Sequence, residues 1–146
     1  MLTKSILNLF ILLVLLSSCN SKKSTTSSPS DPNKLYENGW ILIGWKIDSK
    51  DHAVKSMETI TLNFNKEEEQ VSGNDGCNQF FGTYKIIGDT LRIGPTGGTK
   101  KYCGEESSAD ERAFISLLQE ELHYMITDGE LHLKGIKEEL IFKSNQ

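Results

Sequence analysis

The chain has 146 residues, of which 37% are hydrophobic and 25% charged, and it carries a formal net charge of −4. That length holds one domain, and the composition is that of an ordinary globular protein. The mildly acidic balance excludes the electrostatic footprint of nucleic-acid binding, since Lys22-Lys23 and Lys100-Lys101 are isolated basic pairs.

Residues 1–18 read as a lipoprotein signal peptide. Lys4 supplies a positive start, and residues 6–16 form an apolar run broken only by Asn8. The run falls well short of the roughly 20 residues that cross a bilayer as a helix, and it fits the apolar region of a secretory signal. Leu16-Ser17-Ser18-Cys19 follows. It resembles the lipobox of bacterial lipoproteins, which implies cleavage before Cys19, acylation of that cysteine with chains such as palmitate, and a membrane held through lipid. At about 0.8 kcal/mol per buried methylene, several acyl chains make a stable anchor. By resemblance to enterobacterial sorting rules, Asn20 implies the outer membrane, with the periplasmic or surface face left open. Residues 19–34 form the lipidated N-terminus and its tether. Positions 20–33 carry no large apolar side chain, so they are expected to be disordered and to span about 20 Å.

The domain proper is expected over residues 35–146. Residues 40–47 are aromatic and β-branched, which predicts a strand. Over 58–65, Ile60, Leu62 and Phe64 alternate with polar residues, the period of a half-buried strand. A charged turn at 66–69 leads into the return from 70. Gly88-Asp89 is a two-residue turn that pairs Ile86 with Leu91 and Tyr84 with Ile93. Ser108-Ala109-Asp110-Glu111 has the form of a capping box. Phe114, Leu117, Leu118 and Leu122 follow at helical spacing and predict one helix near 108–122, with Asp110 and Glu111 at the positive end of its dipole. Asp128-Gly129 makes a second hairpin, in which Leu122, Tyr124 and Ile126 share a face with Leu131 and Leu133. A last strand over 139–143 buries Leu140 and Phe142. These elements predict an α+β fold: a small, mainly antiparallel β domain, as a curved sheet or partial barrel, with one helix against a face or end.

Cys77 and Cys103 remain once Cys19 is lipidated. In an oxidising compartment two cysteines are most simply a disulfide, worth about 3.5 kcal/mol in the chain-entropy account. Reduced buried thiols are a second reading. A reactive thiol is a third, although it needs a nearby base and neither cysteine has a histidine close in sequence. His123 and His132 fall on one strand face as diagonal neighbours, but two imidazoles fall short of a zinc site's three or four ligands, so no metal is expected. The glycine-rich stretch 94–100 lacks the spacing of a phosphate loop. No carboxylate pair is placed for acid–base work, and no serine sits in a nucleophile elbow. Neither enzyme activity nor a cofactor is expected. The candidate interaction surface is the pair of loops at 74–79 and 97–102, with Asn74, Asn78, Lys100, Lys101 and Tyr102.

The succession Gly76-Cys77-Asn78-Gln79-Phe80-Phe81-Gly82-Thr83-Tyr84, Thr99 to Cys103, Glu111-x-x-Phe114 and Leu131-x-Leu133 resembles the META domain of HslJ-like proteins. The resemblance covers about residues 38–143. It implies a compact antiparallel β structure with one helix, often lipid-anchored in the envelope, associated with heat or antibiotic stress and without established enzymatic activity. The stretch from Trp45 to Met57 departs from that pattern, being longer and more polar than the family's first hairpin. The function expected is therefore a non-enzymatic envelope lipoprotein that acts by binding a partner, such as an envelope protein, or by buffering envelope stress. The alternative is a thiol-dependent enzyme or redox protein using Cys77 or Cys103.

Overall fold

The computed structural model describes residues 33–145. The predicted signal segment, Cys19 and the predicted tether up to residue 32 lie outside the described residues. In chain order the elements are α1 (Lys34–Glu37), β1 (Gly39–Ile47), β2 (Lys50–Asp51), β3 (Thr61–Asn65), β4 (Gln70–Asn74), β5 (Gln79–Ile87), β6 (Thr90–Ile93), β7 (Gly97–Gly98), α2 (Glu105–Leu118), β8 (Glu121–Thr127), β9 (Glu130–Lys134) and β10 (Glu138–Asn145). Among the described residues no helix is long and apolar enough to cross a membrane.

Hydrogen-bonded neighbours run β1-β3-β4-β5-β6-β8-β9-β10, and β10 then pairs with β1. The sheet therefore closes into a barrel, where the sequence predicted a curved sheet or partial barrel. The closing seam is long, from Gly39 opposite Asn145 to Ile47 opposite Glu138. Closure leaves neither strand as a bare edge along that side. Inside, Trp40, Trp45, Phe80, Phe114 and Phe142 are all buried, and Phe64 meets Tyr84 edge-on at 5.2 Å between centroids. Burying each such side chain stabilises the fold by about 1.5–3 kcal/mol.

Both predicted hairpins form in the expected register. Tyr84 faces Ile93 and Ile86 faces Leu91 across the Gly88-Asp89 turn. Tyr124 faces Leu133 and Ile126 faces Leu131 across Asp128-Gly129. The second turn has positive φ at both central residues, 52° and 82°, the backbone that matches the twist of its flanking strands.

The helices depart from expectation. α2 starts directly after Gly104, whose φ is 89°, and makes no side-chain cap. The Ser108–Glu111 motif thus lies inside the helix, and the acids at its positive end are Glu105 and Glu106. Asp110 is buried instead, held by tertiary partners. α2 also stops at Leu118, and Leu122 belongs to β8, where it is fully buried opposite Leu91. A second, short helix, α1, precedes the barrel, and the sequence had not announced it. Its Leu35 carbonyl accepts a hydrogen bond from the Trp40 indole.

The antiparallel register sorts the connections onto two ends. At one end lie α1, the start of β1, the β3–β4, β5–β6 and β8–β9 turns, and the finish of β10. At the other lie residues 48–60, the loops 75–78 and 94–104, and the β9–β10 turn. From α2, Phe114 reaches into this second end, meeting Trp45 at 6.3 Å and Phe80 at 6.0 Å. We call the first the entry end and the second the distal end.

Candidate functional site

At the distal end three irregular segments are knitted into one platform. The loop after β4 begins with two Asx turns: Asn74 Oδ1 accepts from the Gly76 N–H at 2.7 Å, and Asp75 Oδ1 accepts from the N–H groups of Cys77 and Asn78 at 3.0 and 2.6 Å. Short polar side chains favour such local closures. The Gly76 carbonyl then accepts from the N–H groups of Met57 and Glu58, which ties in the segment before β3.

The third segment, 99–103, is attached by Cys77–Cys103, a disulfide with Cα atoms 5.9 Å apart, and by the amide of Asn78. Oδ1 of Asn78 accepts from Thr99 Oγ1 and the Lys101 N–H, both at 2.7 Å. Its Nδ2 donates to the Lys101 carbonyl at 3.3 Å and to Glu111 Oε1 at 3.1 Å. One buried side chain thereby joins two loops and the helix. Lys101 Nζ donates to Glu58 Oε1 at 2.8 Å, and Asn74 Nδ2 donates to Glu58 Oε2 at 2.6 Å. The bonds from Lys101 and then from Asn74 hold the Glu58 carboxyl below the usual carboxylate range.

Of the five residues predicted to make an interaction surface, Lys100, Lys101 and Tyr102 are exposed, Tyr102 at 81%. Asn74 and Asn78 are not available for contact, since they are 7% and 2% exposed. Their amides are consumed in shaping the loops, because two turns without ladder bonds need side chains to satisfy their backbone. The glycine stretch also has a backbone role: β7 pairs with Phe80 and Phe81 of β5, and a Cβ on Gly98 would stand 2.5 Å from the Gln79 carbonyl oxygen.

Sequence reasoning passed over the neighbouring feature. Residues 48–60 run as a strap from β1 to β3, pinned to α2 through Asp110. Asp110 Oδ1 accepts from His52 Nε2 at 2.9 Å, and Oδ2 accepts from the Lys55 N–H at 2.6 Å. The His52 ring stands edge-on to Trp45 at 5.0 Å, and the Trp45 indole donates to Glu138 at 2.9 Å. Beneath the strap lies a cleft of about 560 Å³, bordered by Leu42, Ile43, His52, Val54, Met57 and Ile60 among others. His52 and Asp110 stand 58 positions apart, and the histidine sits in a polar stretch with no periodicity. The only available signal was an acidic residue on the apolar side of a predicted helix.

His123 and His132, weighed earlier as metal ligands, do lie diagonally on the outer face of the β8–β9 hairpin. The His123 side chain is 65% exposed, whereas His132 Nδ1 is 3.0 Å from Glu139 Oε1 with its side chain 16% exposed. Burial alone would raise the Glu139 carboxyl, but the bonds to His132 and Lys134 outweigh it and hold the group low. Among the described residues no group of three or more His, Cys, Asp or Glu is placed to hold a metal ion.

Comparison with known proteins bears on this arrangement. The family model for the META domain matches residues 33–146. No curated protein matches the chain. The fold is shared with an NMR structure of a protein from Burkholderia xenovorans, 24% identical, with a TM-score of 0.67, covering 82% of this chain and 91% of that one. It is also shared with a crystal structure of a DUF4847 family protein from Bacteroides vulgatus, 15% identical, with a TM-score of 0.57, covering 76% of this chain and 94% of that one.

Proposed function

Because the chain belongs to the META domain family, we propose that it is a lipid-anchored, non-enzymatic binding module of the cell envelope, held at the outer membrane. In this reading it contributes to heat or antibiotic stress tolerance by engaging an envelope protein. The supporting observation is directional. Residue 33 lies at the entry end, beside Lys66 of the β3–β4 turn, whereas Lys100, Lys101, Tyr102 and the cleft lie at the distal end. In this reading a tether from Cys19 would join the domain at the end opposite the platform, which keeps the platform clear of the point of attachment.

Radiolabelled palmitate tests the anchor: it is expected to enter the wild-type protein and not the Cys19→Ala form, which should also leave the membrane fraction. Deleting the gene should sensitise cells to heat or to a bulky antibiotic such as novobiocin. A Cys19→Ala form that matures and fractionates like wild type would overturn the proposal.

The thiol-enzyme alternative has less support. Both sulfurs are taken up in one disulfide, and Cys77 is fully buried. Thiol titration of the native protein should find no free thiol before reduction, and a fast-reacting thiolate would restore that alternative.

A further inference from the structure

The barrel wall made by β3, β4, β5 and β7 differs from the rest of the outer surface. Register sets Asn63, Ser72, Phe81 and Gly97 side by side in one row across the four strands, with Gln70 beside Thr83 in the next row. Gln79 precedes Phe81 on the same face of β5, while the alternate residues Leu62, Val71, Phe80 and Tyr84 are buried in the core. These outward side chains are exposed, and none is Asp, Glu, Lys or Arg in a chain that is 25% charged. The wall of β9 and β10 is built the ordinary way, with Lys134 opposite Glu139 and Glu130 opposite Lys143. Along β5 charge returns only at Lys85, toward the entry end.

Phe81 stands in the middle of this uncharged field and is 64% exposed. Its ring rests against Gly97, where a Cβ would come within 3.0 Å of the ring. The glycine therefore seats the phenyl group and fixes its plane. Beside it lies a depression of about 250 Å³ bordered by Gln70, Thr83, Pro95 and Gly97 among others. The side chains of Asn63, Gln70, Ser72, Gln79 and Thr83 make no hydrogen bond among the described residues.

That combination selects an occupant. A phosphate or sulfate group calls for Arg or Lys, and this wall has neither. A protein interface centres on a cluster of aromatic, Met or Arg side chains, and one phenyl ring among amides and hydroxyls is no such cluster. A hydrocarbon would strip water from those polar groups and give nothing back. An uncharged sugar meets both halves of the surface. Its hydroxyls donate to and accept from Asn, Gln, Ser and Thr, and an all-equatorial pyranose has a face of C–H groups that stacks on an aromatic ring. The three strands offer a shallow surface about 10 Å wide and about 14 Å long, which suits an extended chain of sugars better than one enclosed ring. Strand faces of other small barrels bind oligosaccharides in this manner.

We infer that the wall of β3, β4 and β5 binds an uncharged, β-1,4-linked oligosaccharide, with Phe81 stacked on a sugar ring and Ser72, Gln79 and Thr83 bonded to its hydroxyls. This site is separate from the distal platform and does not depend on a protein partner there.

The test is an amide-shift NMR titration of the full chain in dodecylphosphocholine micelles with cellotetraose and with chitotetraose, which distinguish a plain glucose chain from acetamido sugars. Saturable shifts at Ser72, Gln79, Phe81 and Thr83 are expected with one or both. A sulfated heparin tetrasaccharide should bind at least tenfold more weakly. Phe81→Leu keeps an apolar side chain but loses the ring, so it should weaken binding at least tenfold, whereas Phe81→Tyr should stay within twofold of wild type. Gln79→Ala serves the same end if the leucine variant fails to fold. Tyr102→Ala, on the platform, should leave affinity unchanged. No shifts with either sugar, shifts centred on another face, tighter binding of the heparin fragment, or wild-type affinity in Phe81→Leu would overturn the inference.

Discussion

Replacing Asn78 with alanine tests whether one amide holds the distal platform together. The side chain is 2% exposed and makes four hydrogen bonds, two through Oδ1 and two through Nδ2, one of them to the carboxylate of Glu111. Each neutral bond is worth about 1 kcal/mol net and one to a charged group somewhat more. Thr99 and Lys101 sit near the surface, where water takes over part of the loss. The expected cost is about 3 kcal/mol. With a urea slope of about 2 kcal/mol/M for a domain of this size, the unfolding midpoint should fall by about 1.5 M. Lys100→Ala, on the same loop but exposed, should change stability by less than about 0.5 kcal/mol. Asn78→Asp keeps both acceptor bonds yet sets a second carboxylate against Glu111, so its deficit should shrink on acidification. An Asn78→Ala midpoint within about 0.3 M of wild type would refute the assignment, since that shift is under 1 kcal/mol.

Replacing both Cys77 and Cys103 with alanine opens a loop with a sequence separation of 26 and should cost about 3.5 kcal/mol; a loss below about 1 kcal/mol in urea would contradict the entropic account. Gly73→Ala should destabilise by about 3 kcal/mol or prevent folding, because its Cβ would stand 1.9 Å from the Thr61 carbonyl oxygen. Gly39→Ala meets only the end of the Asn63 side chain, which can swing aside, so its melting temperature should stay near wild type. Glu58 and Glu139 both have folded-state pKa values below the ordinary 4.5. The stability they contribute is complete above that value and is lost as pH falls through their folded pKa values. Melting temperature should therefore drop as the solution is acidified below about pH 4.5, and Glu58→Gln with Glu139→Gln should flatten the drop.

What the sequence disclosed and what it hid follow from the range of each interaction. The hairpins at Gly88-Asp89 and Asp128-Gly129 were legible because turn chemistry and alternation lie within a dozen residues of one another. Closure was not, because β1 and β10 meet across most of the chain and either could have stood as an edge. The helix start was misplaced for a related reason. Ser108 and Glu111 have the spacing of a cap, but the helix begins one turn earlier, after Gly104, and Asp110 is bonded to His52 instead of serving the helix end. Asn78 was expected on an interaction surface and is buried instead. Its reach to Thr99, Lys101 and Glu111 depended on a loop arrangement that no local pattern encodes. The cleft went unseen because it is made of a bulge and an aperiodic strap.

The seam that joins Gly39 to Asn145 has a consequence for biogenesis. β10, the last strand described, is the partner of β1, so the cylinder cannot shut until β10 has been synthesised. Pairings of such long sequence separation also form slowly. The barrel as a whole therefore closes late, after the hairpins whose partners lie close in sequence.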